Sequence, residues 1–200
     1  FISTTNVGFS RKENQDFLGH LEINKGHLFI VCDGVGGLPN GKLASKTAVN
    51  CILKMFSRAF EDPLKHLQQA LDAAHIAIKD ADPNFLGTTI VAVYIEDDKI
   101  FSSWCGDSRI YHFRDNALKW MSRDHNVLHD VLNRGKGRGN LYLNPQAITR
   151  YLGKEDNHGV DIHEFTKNPG DKILLCSDGL SNFILESDIV NTITKNDCKN

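Results

Sequence analysis

Absences narrow the field first. Within these 200 residues no apolar run is long enough to cross a bilayer and no signal-peptide pattern stands at the start. That points to a soluble, cytoplasmic chain without a membrane partner. No two of the five cysteines stand at zinc-knuckle spacing, which argues against a Cys-rich zinc site. Their odd number, and the position of Cys32, Cys105 and Cys176 inside or at the end of apolar patterns, favours buried thiols over disulfides. Basic charge is not in excess either: Lys and Arg number 23 against 25 Asp and Glu, for a formal net charge of −2. A general field for nucleic acid is therefore missing. There is no repeat of solenoid period and no low-complexity tract. At this length and with 40% hydrophobic content, a single globular domain over 1–200 with a real core is expected.

What is present is a motif used three times. Leu28-Phe29-Ile30-Val31-Cys32 is an apolar, β-favouring run that stops on Asp33 and then turns through Gly34, Gly36 and Gly37. Ile173-Leu174-Leu175-Cys176-Ser177-Asp178-Gly179 repeats the design, and Trp104-Cys105-Gly106-Asp107-Ser108-Arg109 varies it. Any one Asp-Gly is explained by its merit as a turn. Three strand-end aspartates together suggest one shared acidic site.

Around these, 2–9 has strand character, and the polar run 10–16 separates it from a second apolar stretch at 17–21. Arg11 and Asp16 in that run combine a guanidinium suited to phosphate with a carboxylate suited to a metal. Ala44, Ala48, Ile52 and Phe56 give a helical stripe, and Asp62-Pro63 starts a second helix lined by Leu64, Leu67, Leu71, Ala74 and Ile78. His66 and His75 on that helix have no partner at i+4 and read as solvated or packed. Strands at 87–95 and 99–105 flank the Asp97-Asp98 turn, and shorter ones at 108–113 and 117–121 flank Asp115-Asn116, an antiparallel meander. A short helix over 124–132 would place His125 and His129 on one face, where two histidines without a third ligand read as surface residues. The basic, Gly-rich 133–140 is equally a solvated linker or a flap that attracts acidic or phosphorylated substrate. Strands at 161–165 and 172–176 and an amphipathic helix at 185–193 complete the pattern. Helices and antiparallel strands in this order predict an α+β layered domain.

Asp16, Asp33, Asp107 and Asp178 offer hard oxygen donors, the chemistry of Mg²⁺ and Mn²⁺ rather than of softer ions. Two such ions a few ångströms apart suit in-line attack on a phosphate ester. At this point the ordered set Arg11…Asn14-Gln15-Asp16, Asp33-Gly34-Val35-Gly36-Gly37, Gly87-Thr88-Thr89, Gly106-Asp107-Ser108-Arg109-Ile110-Tyr111, Ile148-Thr149-Arg150-Tyr151-Leu152-Gly153 and Ser177-Asp178-Gly179-Leu180 resembles the metal-dependent protein phosphatase family, the 2C-type serine/threonine phosphatases, in its bacterial branch.

The resemblance implies a four-layer αββα sandwich, two antiparallel β-sheets flanked by helices. It implies two Mn²⁺ or Mg²⁺ ions with a third, weaker site, and a bridging hydroxide as the attacking group. Arg11 would grip the phosphate; Asp16, Asp33 and Asp178 would be metal ligands, with Gly34 lending its carbonyl. Asp107 would serve the third site with Asp178, and 126–148 would be the family's flap. Phosphorylated substrates of a serine/threonine kinase, no nucleic acid and a monomeric state go with this picture.

The chain departs from the family pattern in places. Gln15 stands where glutamate is frequent, and Val35 where some members carry a histidine proton donor. The opening on Phe1, and the lack after Asp178 of the family's closing Gly-x-x-Asp-Asn strand, predict a natural protein longer than this sequence and a domain without its last strand. The missing aspartate keeps a catalytically impaired, phosphatase-like binding module as the rival reading. The retained, mutually repelling carboxylates speak against it.

Overall fold

The computed structural model describes residues 1–9, 11–23, 26–35, 40–81, 87–133, 144–155 and 159–196. Its strands form two antiparallel sheets. The larger takes the order β1-β2-β3-β4-β7 from β1 (Asp16–Ile23), β2 (Gly26–Asp33), β3 (Ile90–Glu96), β4 (Lys99–Cys105) and β7 (Asp161–Thr166). The smaller takes the order β6-β5-β8 from β5 (Arg109–Arg114), β6 (Ala117–Met121) and β8 (Lys172–Cys176).

Period-two alternation sorts the strand residues between layers. Leu28, Ile30 and Cys32 of β2, Ile90, Ala92 and Tyr94 of β3, and Phe101 and Cys105 of β4 face α1 (Gly41–Phe56) and α2 (Pro63–Ala81). Those helices answer with Ala44, Ala48, Val49, Ile52, Phe56, Leu67, Leu71, Ala74 and Ile78, spaced three and four apart so that one stripe meets the sheet. Asp62 caps α2 as its sequence position implies, its Oδ1 accepting from the Lys65 N–H at 3.0 Å.

The intervening residues, Val91, Val93, Ile100 and Trp104, form the slab between the sheets with Ile110, Ile173 and Leu175. β3 is buried on both faces, which is why it reads as a continuous apolar run. Outside the smaller sheet, Ile189, Val190 and Ile193 of α5 (Glu186–Lys195) close a third apolar layer over Tyr111, Phe113 and Cys176. Helices, sheet, sheet and helix make the expected four layers.

Two sequence expectations about the strands are corrected by the structure. Residues 2–9 form no strand, and Ile2, Val7 and Phe9 are exposed; apolar, β-favouring composition makes a strand only where a neighbouring edge takes up its backbone groups. The meander is not one unit: β3 and β4 belong to the large sheet and β5 and β6 to the small one, because the chain changes sheets at Gly106-Asp107-Ser108. Asn168-Pro169-Gly170-Asp171 makes the same change between β7 and β8, so these strands do not pair. His66 and His75 are packed: His66 Nε2 lies 3.2 Å from the Met55 carbonyl and His75 Nδ1 accepts from the Gly153 N–H. No helix among the described residues is long and apolar enough to cross a membrane.

Candidate metal centre

The sandwich topology brings distant aspartates to one end. β1 starts at Asp16 and β2 ends at Asp33, and the antiparallel register sets these two residues opposite each other. β8 ends just before Asp178, which opens the one-turn helix α4 (Asp178–Ser181). The Ser177 hydroxyl donates to Asp16 Oδ2 at 2.9 Å, tying the end of the small sheet to the start of the large one.

The Asp33 carboxyl lies against those of Asp16 and Asp178, and its pKa stands far above the usual carboxylate range. Burial is the main cause, followed by the charges of Asp16 and Asp178 and by shared-proton contacts with both. Asp107 is pushed up to about 6, first by burial and then by Asp178 and Asp124. All four predicted aspartates thus belong to one electrostatic cluster. Among the described residues no three Asp, Glu, His or Cys side chains are gathered closely enough to enclose a metal by themselves. The donor set still fits Mg²⁺ or Mn²⁺ in kind, because hard cations take carboxylate oxygens and keep several waters rather than a full protein cage. Carboxylates held this close repel one another, and a cation relieves that repulsion.

The backbone around Asp33 is pinned by the Gly87-Thr88-Thr89 segment. Its N–H donates to Thr89 Oγ1 at 3.2 Å, while its carbonyl accepts from the Thr89 N–H and from Thr88 Oγ1, each at 2.8 Å. Thr89 Oγ1 is also 2.7 Å from Ser108 Oγ, so one buried hydroxyl pair links the Asp33 and Asp107 turns. Gly34 is a glycine of necessity: a Cβ there would lie 2.4–2.7 Å from the backbone of Gly41 at the start of α1. Arg11 sits on the exposed loop before β1, and its guanidinium pairs with no carboxylate among the described residues.

Sequence reasoning gave no physical task to Thr88, Thr89, Ser108 and Ser177, and it missed Asp124. Arg109 grips Asp124 with two bonds of 2.8 Å, so a buried carboxylate lies one strand away from Asp107. The nearby Arg109 was the available signal. His125 is not the surface residue that its spacing from His129 predicts. It is 4% exposed and precedes α3 (Val127–Asn133), so it does not share a helical face with His129. Tertiary contacts, invisible to periodicity, decide its position.

The protein phosphatase 2C family model matches residues 10–196. The chain belongs to that family. The serine/threonine phosphatase stp of Listeria monocytogenes serotype 4b is 30% identical over 200 residues, covering 92% of this chain and 79% of the relative. Among solved structures, a Streptococcus agalactiae serine/threonine phosphatase superposes with a TM-score of 0.83 at 27% identity, over 97% of this chain and 85% of the other. The catalytic domain of the serine/threonine protein phosphatase PstP, in complex with two manganese ions, superposes with a TM-score of 0.75 at 25% identity, over 92% and 79% of the two chains. These 2C-type relatives share the two-sheet sandwich and not merely a local motif.

Proposed function

We propose that this 2C-type domain hydrolyses phosphoserine and phosphothreonine on proteins with Mn²⁺ or Mg²⁺, and that its site is the aspartate cluster at the end of the sandwich. The observation that carries the reading is the crowding of Asp33 by Asp16 and Asp178, in a chain of the protein phosphatase 2C family. Clustered carboxylates raise each other's pKa and destabilise the bare fold, so their retention calls for a cation.

Asp16, Asp33 and Asp178, with the Gly34 carbonyl, hold the two core ions, and Asp107 with Asp178 serves a third, weaker one. When bound, such ions supply a nucleophile at neutral pH and offset charge on the phosphoryl oxygens. Arg11 receives the phosphate in bidentate fashion; its guanidinium has no carboxylate partner among the described residues to compete with that task. Thr88 and Thr89 keep the Asp33 carbonyl and N–H occupied, so its carboxyl is presented from a fixed backbone. Ser177 orients Asp16 by donating to Oδ2.

Residues 1–200 act as one such domain, with 126–148 as a flap. An Asn126–Ile148 bridge and the Val127 N–H to Ala147 carbonyl bond at 3.0 Å support this by closing its base. Residues 134–143 of the flap lie outside the described residues. The partners on this reading are cytoplasmic phosphoproteins of a serine/threonine kinase, met by a monomer.

A phosphothreonine peptide incubated with the chain tests the proposal. Phosphate release should require Mn²⁺ or Mg²⁺, stop on chelation and return when the ion is restored. Release that persists unchanged after exhaustive chelation would sink the metal-dependent reading, and metal binding without any hydrolysis would favour a phosphatase-like binding module.

A further inference from the structure

The turn that carries Asp107 is held by a strap, and His125 is its hub. Each residue from Ser122 to His125 is tied to the segment that bears Asp107. The Ser122 hydroxyl accepts from the Ile110 N–H, the Arg123 carbonyl from the Trp104 indole, and Asp124 from Arg109. The His125 N–H donates to the Gly106 carbonyl at 2.8 Å, and the Gly106 N–H returns a bond to His125 Nδ1 at 3.2 Å. A backbone N–H can only donate, so Nδ1 must be the acceptor and the ring proton resides on Nε2. Nε2 lies 3.2 Å from Asp161 Oδ2, whose other oxygen accepts from Arg150 at 3.3 Å. From the same residue the His125 carbonyl accepts from the Thr149 N–H at 2.8 Å, and Asn126 next along bridges to Ile148.

Gly106 has no freedom to move away. Its φ is +113°, and a Cβ there would lie 2.7 Å from the Thr89 side chain. The turn is therefore fixed by Thr89 on one side and by the imidazole on the other.

We propose that His125 is a positioning residue for Asp107: its ring, accepting from Gly106 and donating to Asp161, holds the turn that presents Asp107 beside Asp178 and joins that turn to the stem of the 126–148 segment. This rests on the role given above to Asp107. Burial lowers the His125 pKa and keeps Nδ1 available as an acceptor at neutral pH. A histidine serving only as buried filler would not care which nitrogen is preserved.

Two variants separate the nitrogens. His125→Asn keeps an amide oxygen near the place of Nδ1, and His125→Gln puts one near Nε2. In the full chain, Mn²⁺ titrations of phosphothreonine-peptide hydrolysis and of calorimetric Mn²⁺ binding are compared with hydrogen exchange at the Gly106 amide. His125→Gln should raise the Mn²⁺ requirement by about 10–100-fold, the range for lost supporting partners of a metal site, and should release the Gly106 amide to exchange. His125→Asn should stay closer to the parent in both readouts. Asp161→Asn, a change at a half-exposed side chain, leaves the ring in place and should shift the requirement in the same direction by less; it keeps the test available if His125→Gln does not fold. Equal behaviour of the Asn and Gln variants, or a Gly106 amide still protected in His125→Gln, or no shift in Asp161→Asn, would overturn the proposal. An Asp107→Asn variant with an unchanged Mn²⁺ requirement would overturn the role of Asp107 instead, and Gly106 exchange would still decide the role of the ring.

Discussion

At the scale of single residues, the site is built from carboxylates whose charges conflict and from hydroxyls that keep their backbones still. Asp33 meets Asp16 across the β1–β2 ladder and Asp178 from the end of β8, while Thr88 and Thr89 saturate its main-chain groups. Arg11 lies on an exposed loop with no carboxylate partner among the described residues, which suits a residue that waits for an anion. Removing it should leave metal binding intact and weaken phosphate capture. A charged hydrogen bond is worth about 1.5–3 kcal/mol, so Arg11→Ala should raise KM by roughly ten- to a hundredfold with a smaller change in kcat, read from steady-state kinetics on a phosphopeptide. Asp33, Asp107 and Asp178 were legible in the sequence because three strand-like runs lead to an aspartate at a turn, a recurrence that a single good turn does not explain, and Asp16 was legible beside Arg11 in the polar run before β1. His125 was not, because its place is set by Gly106 and Asp161, which are 19 and 36 residues away. Separation along the chain, not residue type, hid it.

At the scale of elements, the strands position the site because each is anchored by one or two apolar interfaces. Ile110 of β5 is fully buried between the sheets, three residues beyond Asp107. Ile76 of α2 is 56% exposed and lies outside the apolar clusters. Ile110→Ala should therefore cost about 2–5 kcal/mol, and Ile76→Ala about 0.5 kcal/mol or less, in denaturant unfolding. Equal losses would contradict the layer assignment. Helices and most strands were legible because their periods of 3.6 and 2 are imposed by one buried face. What periodicity could not convey was sheet membership: β4 and β5 are consecutive in sequence yet belong to opposite layers, since the change happens in the three residues Gly106-Asp107-Ser108. Residues 2–9 mislead for the converse reason, having strand-like composition without a ladder to join.

At the scale of the whole molecule, two acidic centres pull stability in opposite directions with pH. Arg114 at the end of β5 grips Asp171 in the β7–β8 turn with bonds of 2.8 and 2.7 Å, and this pair holds the Asp171 carboxyl below its usual range. Because that folded-state pKa is depressed, the stabilisation is present above about pH 4 and is lost as pH falls through the lowered value. Asp33 is shifted the other way. Above about pH 4 the folded protein retains a proton there that the unfolded chain releases, so stability falls as pH rises toward the elevated value. The metal-free protein should show its highest Tm at mildly acid pH. Added Mn²⁺ should raise Tm more at pH 8 than at pH 5, because protons and cations compete for the same carboxylates. Thermal unfolding across pH with and without Mn²⁺ checks both slopes, and an Mn²⁺ effect independent of pH would separate the ion from Asp33.

The shared task of these aspartates is tested most directly by Asp33→Asn, which removes one charge from the middle of the cluster and keeps the side-chain shape. At saturating Mn²⁺, phosphothreonine-peptide turnover should fall by more than about a hundredfold, beyond the loss of a merely supporting partner, while the metal-free fold persists with equal or higher stability once the repulsion is relieved. A folded Asp33→Asn protein that turns over substrate at the parent rate would contradict the assignment of this cluster as the phosphatase centre.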